Sequence, residues 1–126
     1  MSVYARALSD LWQVEYSAGF HSGVSDTMKN GVGGGAGLRS HELLEAAVAS
    51  CMTITARMCL EEHGCPSNGV GVEVELERTE DESCFHYSLR LPADLEQQRT
   101  VVLDRLENSA VKTTLGKLLV FEPLDC

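Results

Sequence analysis

The clearest pattern along the chain is an alternation of apolar and polar residues over residues 69–78. Apolar side chains fall at the even positions from 70 to 76, and glutamates fall at 73, 75 and 77. Such alternation is typical of a half-buried strand, because successive side chains point to opposite faces. Residues 84–91 alternate in the same way after a polar turn at residues 79–83. The two runs predict a β-hairpin with an inward face made of Val70, Val72, Val74, Leu76, Phe85, Tyr87, Leu89 and Leu91.

The first quarter of the chain also has the pattern of β structure. Residues 12–16 alternate strictly, and residues 3–8 and 20–26 are candidate strands on either side. At the other end of the chain, the apolar run at residues 117–122 predicts a short final strand.

The longest apolar stretch predicts a helix over residues 41–63. Ser40 can cap its start, Gly64 can supply a left-handed cap at its end, and Pro66 prevents continuation. The first half of this helix is apolar on nearly every side. Such a helix has to be buried all round, and one small domain seldom covers a helix so completely. The pattern therefore predicts a long buried central helix that a second subunit helps to cover.

Two shorter helices are predicted after the hairpin. Asp94 and Gln97 have the spacing of a capping box at the start of the first helix, which should reach about residue 108. Leu95, Val102 and Leu106 are its expected inward residues. Ser109 is expected to cap a last short helix over residues 110–115. Strands and helices in this order predict an α+β fold in a single domain of residues 1–126.

A glycine-rich segment at residues 30–37 has two interpretations. Residues 31–36 match the pattern G-x-G-x-x-A of a phosphate-binding loop. However, no apolar strand leads into the segment, and no Gly-Lys-Ser/Thr follows it. A linker or mobile loop is therefore favoured over a nucleotide cradle.

Charge and cysteine content narrow the function classes. Ten basic and 19 acidic residues give a net charge of −9, which opposes binding to nucleic acids and anionic membranes. The five cysteines are an odd number without a secretory signal, so a disulfide framework is not expected. They include no CxxC pair and no zinc-like spacing. We expect a cytoplasmic protein with no membrane span, no metal and no cofactor.

Two segments resemble motifs of the OsmC/Ohr family. Residues 42–51, with the sequence ELLEAAVASC, are similar to a family helix in which a glutamate precedes a reactive cysteine by two to three turns. Residues 109–115, SAVKTTL, are similar to a motif that normally reads Cys-Pro-Val, two polar residues, Thr-Leu. The predicted order of elements agrees as well. The resemblance covers nearly the whole chain and implies an intertwined homodimer with an α+β fold.

The resemblance also implies a chemistry, the reduction of organic hydroperoxides or related peroxides. Cys51 would be the thiol that attacks the peroxide, and Glu42 would be the supporting carboxylate. A thiolate is the attacking species, so a nearby cation is needed to favour it. Arg39, just before the helix, is the first candidate and Arg6 the second, whereas Arg57 lies on the opposite helical face from Cys51.

The chain departs from the family pattern at the second motif. Ser109 and Ala110 stand where the family usually has Cys-Pro, and a serine cannot form the resolving disulfide. Cys59 lies about 12 Å from Cys51 along the same helix, beyond the roughly 7 Å that disulfide Cα atoms allow. Cys84 on the hairpin or Cys126 at the end of the sequence could take over only if the fold brings them to Cys51. Otherwise an active enzyme would need an external thiol as reductant.

Two other hypotheses do not need peroxidase turnover. Cys51 can be a small buried hydrophobe and Glu42 an ordinary first-turn carboxylate. The chain would then be a non-catalytic dimer that binds a small apolar ligand or has a structural role. The third hypothesis is a thiol sensor that responds by sulfenylation of Cys51.

Overall fold

The protein combines antiparallel strand pairs with one long and several short helices, which confirms the α+β prediction. The computed structural model describes residues 2–124. These divide into two compact units, with the boundary between residues 44 and 45. The prediction of a single domain stays a prediction.

The first unit contains a three-stranded antiparallel sheet. Its strands are β1 (Tyr4–Ala7), β2 (Val14–Ala18) and β3 (His21–Ser25), in the order β1-β2-β3. Ala18 pairs with His21, so β2 and β3 are joined by a two-residue turn whose Gly19 has a φ of 61°. All three strands were predicted from the alternating pattern of the first 26 residues.

The glycine-rich segment begins with a small hairpin that the linker interpretation missed. Strands β4 (Met28–Lys29) and β5 (Val32–Gly33) pair through Asn30 and Gly31, whose φ angles are 54° and 77°. Two consecutive positive φ angles define a type I′ turn, which matches the right-handed twist of the paired strands. Asn-Gly is the preferred sequence for this turn, so the dipeptide was the signal that could have revealed it.

A buried carboxylate organises the rest of that segment. Asp26 is only 3% exposed and accepts hydrogen bonds from the backbone N–H groups of Thr27 and Ala36, at 2.8 and 3.1 Å. The Ala36 bond is the main reason why the pKa of Asp26 lies below its ordinary value of 3.8. The carboxylate therefore stabilises the fold above that value, and the stabilisation is lost as the pH falls through the lower folded pKa. A phosphate would meet this negative charge, which argues against a nucleotide cradle.

The long helix α1 spans Ser40–Glu62. Its first backbone hydrogen bond runs from the N–H of Leu43 to the carbonyl of Arg39, at 3.0 Å. Arg39, one residue before the predicted cap, therefore occupies the N-cap position. Glu42 accepts the backbone N–H of Arg39 at 2.8 Å, which is the returning half of a capping box. Ser40 is therefore not the cap that the sequence predicted.

The predicted C-terminal cap of α1 is confirmed. Gly64 has a φ of 72°, and its N–H donates to the carbonyl of Glu61 at 3.0 Å. The next amide, that of Cys65, donates to the carbonyl of Leu60 at 2.9 Å. This pair of bonds is a Schellman motif, which satisfies carbonyls that the end of a helix leaves unpaired.

Helix α1 is buried on one stripe only, so the prediction that it is buried on every side is not met within one chain. The buried stripe consists of Val48, Met52, Ala56, Cys59 and Leu60. On the remaining faces, Ile54 and Met58 are 54% and 60% exposed. By length and composition α1 is the one helix in residues 2–124 that could cross a membrane. Core helices of soluble proteins pass the same test, and the buried stripe fits that explanation.

The predicted hairpin is confirmed as strands β6 (Gly71–Arg78) and β7 (Ser83–Arg90). Val72 pairs with Leu89, Val74 with Tyr87 and Leu76 with Phe85, so the apolar positions share one face. That face packs on the buried stripe of α1. Burial of this face requires the observed register, because a slip by one residue would turn the glutamates inward.

The C-terminal helices match the prediction in part. A 3-10 helix (Ala93–Gln98) precedes α2 (Arg99–Leu106), and α3 spans Ala110–Leu115. Leu95, Val102 and Leu106 are buried as predicted. The capping box at Asp94 is not formed, because Pro92 occupies the N-cap position and no side chain caps this helix.

The predicted final strand at residues 117–122 is wrong for the single chain. Residues 118–123 have no regular secondary structure, and Leu118 and Phe121 are each 90% exposed. Strand formation needs a neighbouring strand for the backbone hydrogen bonds. Within residues 2–124, no strand pairs with this segment.

Substitutions of two adjacent valines test which face of α2 packs on the core. Val102 is fully buried, whereas its neighbour Val101 is 36% exposed. We expect Val102→Ala to lower the free energy of unfolding by about 2 kcal/mol, since two buried carbon groups are lost and a cavity is left. Val101→Ala should cost well under ~1 kcal/mol. Urea unfolding measures both values, and equal losses would show that α2 packs with a different face.

Substitutions of Glu42 test its capping bond. We expect Glu42→Ala to lower the free energy of unfolding by about 1 kcal/mol, because the Arg39 N–H loses its partner. Glu42→Gln should retain most of the stability, since an amide oxygen can accept the same bond. Thermal unfolding compares the two variants with the unmodified protein. An unstable Gln variant would indicate that the charge of Glu42, and not its hydrogen bond, stabilises the fold.

Candidate functional site

Cys51 lies midway along α1 and faces the start of α3. Its Sγ accepts a hydrogen bond from the backbone N–H of Val111, with a sulfur-to-nitrogen distance of 3.5 Å. The side chain is partly exposed, so the sulfur is not sealed in the core. The structure thus brings together the two segments that resemble family motifs, although they are 60 residues apart.

The backbone donor has a direct effect on the chemistry of the sulfur. A hydrogen bond to an ionised acceptor is stronger than one to a neutral acceptor. A negative charge that develops on the sulfur would therefore find one donor, the Val111 N–H, already in place. The amide hydrogen carries a partial positive charge, so the sulfur has one such charge beside it without a cationic side chain.

Ser109 is buried at the same helix start without a hydrogen-bond partner. The residue is 2% exposed and has the extended backbone of an N-cap, but its hydroxyl makes no capping bond. The predicted capping role of Ser109 is therefore wrong. A capping serine commonly accepts the N–H two residues on, and here that group, the N–H of Val111, donates to Cys51 instead.

Each candidate arginine is either exposed or bonded to a group other than the sulfur of Cys51. Arg39 is exposed, and its backbone N–H is bonded to Glu42. Arg6 forms an ion pair with Glu15 at 3.1 Å, across β1 and β2. Arg57 donates to the hydroxyl of Ser67 at 3.1 Å. Among residues 2–124, no guanidinium forms a hydrogen bond with the sulfur of Cys51.

Glu45 has a role that the sequence did not indicate. Its Oε2 accepts the backbone N–H of Leu76 at 2.7 Å, which links α1 to strand β6. The sequence indicated only that the carboxylate of Glu45 lies near the start of the helix, where a negative charge is favourable. A contact over 31 residues leaves no local signal in the sequence, so only the folded chain reveals it.

The other described cysteines are free thiols with contacts of their own. Cys59 is buried, with its Sγ 4.0 Å from the carbonyl oxygen of Val101. Cys65 follows the end of α1 and contacts the carbonyl of His63. Cys84 lies on β7, with its Sγ 3.9 Å from the Nδ1 of His86. Cys126 lies outside the described residues. Within those residues, no cluster of three metal-binding side chains is present.

A surface cleft lies near the C-terminal half of α1. It has a volume of about 520 Å³ and is lined by Ile54, Arg57, Met58, Glu61, Glu62 and Ser67. A hydrogen bond from the Arg105 guanidinium lowers the pKa of Glu62, so this carboxylate is ionised and paired. The lining thus consists of two apolar side chains, three charged side chains and one serine.

Most of the chain matches a known family model. The family model described as OsmC-like protein matches residues 33–119, which include Glu42, Cys51 and Ser109. A search of the curated proteins finds none that matches this chain.

Two solved structures share the fold. One, from Psychrobacter arcticus 273-4, is described as an osmotic stress induced and detoxification response protein. It has a TM-score of 0.71 and 15% identity, and the match covers 90% of this chain and 87% of that one. The other is an OsmC like protein from Mycoplasma pneumoniae, with a TM-score of 0.69, 13% identity and coverage of 93% and 87%.

At these identities the structures show a common fold, and the family model independently covers well over half of the chain. The chain belongs to the family of OsmC-like proteins.

Proposed function

We propose that this protein reduces organic hydroperoxides at Cys51, with an external thiol as reductant. The observation that carries the proposal is the environment of the sulfur. Cys51 is partly exposed, and its sulfur accepts the Val111 N–H at 3.5 Å, so a hydroperoxide can approach a sulfur that already has a hydrogen-bond donor beside it. A buried cysteine packed only by hydrocarbon would have neither property.

The reaction begins with attack of the Cys51 thiolate on one oxygen of the hydroperoxide. The O–O bond breaks, a sulfenic acid forms on Cys51, and the alcohol leaves after taking up a proton. A small thiol then attacks the sulfenic sulfur, which releases water and leaves a mixed disulfide. A second thiol molecule attacks that disulfide, restores Cys51 and leaves the reductant oxidised.

The positions of the other cysteines support the need for an external reductant. Cys59 is fully buried and lies on the same rigid helix as Cys51. Cys65 and Cys84 make their contacts elsewhere, with His63 and His86. Ser109 occupies the place where the family usually has the resolving cysteine. Glu42 and Arg39 stay predicted contributors to the site.

An intertwined homodimer is the second part of the proposal. Two apolar features are left uncovered in the single chain, namely the face of α1 with Ile54 and Met58 and the segment 118–121. Exposed apolar area of this kind on a soluble protein commonly marks a contact with a partner. A second copy would cover α1 and provide a strand edge for the C-terminal segment. A cytoplasmic location is part of this proposal, because a reactive thiol needs a reducing compartment.

A non-catalytic role is the alternative, and one observation favours it. The cleft beside Ile54 and Met58 has the volume of a small-molecule site. In that case the dimer binds a small apolar ligand or has a structural role, and Cys51 does not turn over. Sensing through sulfenylation of Cys51 is a third role, which keeps the first step of the reaction and omits the reductant.

A peroxidase assay tests the main proposal. We expect the reduced protein with dithiothreitol to consume cumene hydroperoxide faster than the reductant alone. Cys51→Ser should reduce the rate to that of the protein-free control, because the nucleophile is lost. Cys84→Ser is the matched control, and its rate should equal that of the unmodified protein. Equal consumption by the unmodified protein and Cys51→Ser would reject the peroxidase and favour the non-catalytic role.

Sedimentation analysis tests the homodimer. We expect the protein to sediment with twice the mass of one chain. Ile54→Lys together with Met58→Lys should shift the equilibrium to the monomer, because charges on an apolar interface have to be desolvated. Glu75→Lys, on the exposed face of the hairpin, is the control and should stay dimeric. A monomeric unmodified protein would overturn this part of the proposal.

A further inference from the structure

We propose that the sulfenic acid of Cys51 condenses with the backbone nitrogen of Val111 to form a reversible sulfenamide. The inference rests on the proposed function, because it starts from oxidation of Cys51 by a hydroperoxide. Its basis is the direct contact between Sγ and the Val111 nitrogen, at 3.5 Å. Condensation of a sulfenic acid with a backbone nitrogen is a known fate of oxidised cysteine.

The bond changes balance without a further oxidant. After the hydroperoxide has left its oxygen on the sulfur, the Val111 nitrogen attacks the sulfur and an S–N bond forms. The S–O bond breaks, and the hydroxyl leaves as water with the proton of the Val111 N–H. An external thiol reverses the step, since its sulfur attacks Sγ, forms a mixed disulfide and returns a proton to the nitrogen. A second thiol then releases Cys51 as the free thiol.

The buried hydroxyl of Ser109 is the independent observation that points to an oxygen atom at this place. Ser109 is 2% exposed, and its Oγ has no partner in the described structure. An unpaired buried hydroxyl is destabilising, so native proteins rarely keep one without a reason. Ser109 precedes by two residues the Val111 amide that contacts the sulfur, so an oxygen on the sulfur is a candidate acceptor for this hydroxyl.

The step needs the start of α3 to move. The sulfur and nitrogen have to approach well within their present 3.5 Å to share a bond. Helix α3 has only six residues, and Val111 packs against the core while being only partly buried, so the movement falls on one partly buried side chain at the start of a short helix. The segment that follows it, residues 118–123, has no regular secondary structure.

Among the described cysteines, no thiol competes for the sulfenic acid. Cys59, Cys65 and Cys84 contact other groups, and the second-motif position is Ser109. A sulfenic acid without a partner is open to irreversible oxidation by further peroxide. The S–N bond would protect the sulfur until an external thiol arrives.

Mass spectrometry tests the inference on the unmodified protein. Trypsin places Cys51 in residues 40–57 and Val111 in residues 106–112, and the second peptide contains no cysteine. After treatment with cumene hydroperoxide, we expect these two peptides to be joined, with a mass two hydrogens below their sum. The link cannot be a disulfide. A thiol added before digestion should abolish it.

Three variants test which two atoms form the link between the peptides. Cys51→Ser should give no joined peptide. Val111→Pro removes the N–H and should also give none, while a dimedone adduct on Cys51 still forms, more slowly than in the unmodified protein because the sulfur has lost its donor. Ala110→Pro is the matched control in the same helical turn, where proline is tolerated, and it should keep the link. A bridge through the amine of Lys112 would block cleavage there and join residues 106–117 instead, which would overturn the assignment.

The outcomes separate this inference from the proposed function. A dimedone adduct on Cys51 without any joined peptide in the unmodified protein rejects the sulfenamide and leaves the peroxidase intact. No dimedone adduct and no peroxide consumption reject both. Circular dichroism of the two proline variants shows whether the fold is retained, and the result on the unmodified protein stands without them.

Discussion

The hydrogen bond between the Val111 N–H and the sulfur of Cys51 is the contact on which the site depends. It joins the middle of the long helix to the start of α3 across 60 residues of sequence. It also determines which group caps α3, because the amide that Ser109 could have capped is used by the sulfur. A hydrogen-bond donor beside the sulfur and access to a backbone nitrogen both follow from this one arrangement.

The elements that the sequence predicted well are those in which local chemistry decides the structure. The β6–β7 register follows from alternation, since a slip by one residue would bury Glu73 or Glu75. The end of α1 follows from Gly64, because a left-handed residue is needed there. The capping roles of Ser40, Asp94 and Ser109 were not met. Each capping role depends on which group reaches the free amides at the start of a helix. The fold places Arg39 and Pro92 at the N-cap positions of their helices, and it brings the sulfur of Cys51 to the Val111 amide.

The surfaces that the chain leaves uncovered explain the remaining differences. An apolar helix was expected to be buried on every side, yet Ile54 and Met58 remain exposed. The apolar segment 117–122 was expected to be a strand, yet no described strand pairs with it. Both the helix and the C-terminal segment are apolar enough to be buried, yet parts of each stay exposed within one chain. The proposed homodimer would cover both features.

The most direct measurement is the response of the Val111 amide to ionisation of Cys51. Nuclear magnetic resonance can follow this amide from about pH 6 to about pH 10, a range that spans the ordinary titration of a thiol. The account predicts that the Val111 amide signal shifts in step with the absorbance of the Cys51 thiolate, while that of Gly116, at the far end of α3, shifts far less. The shift should vanish in Cys51→Ser. A Val111 signal that ignores both the titration and the substitution would contradict the contact and the chemistry that depends on it.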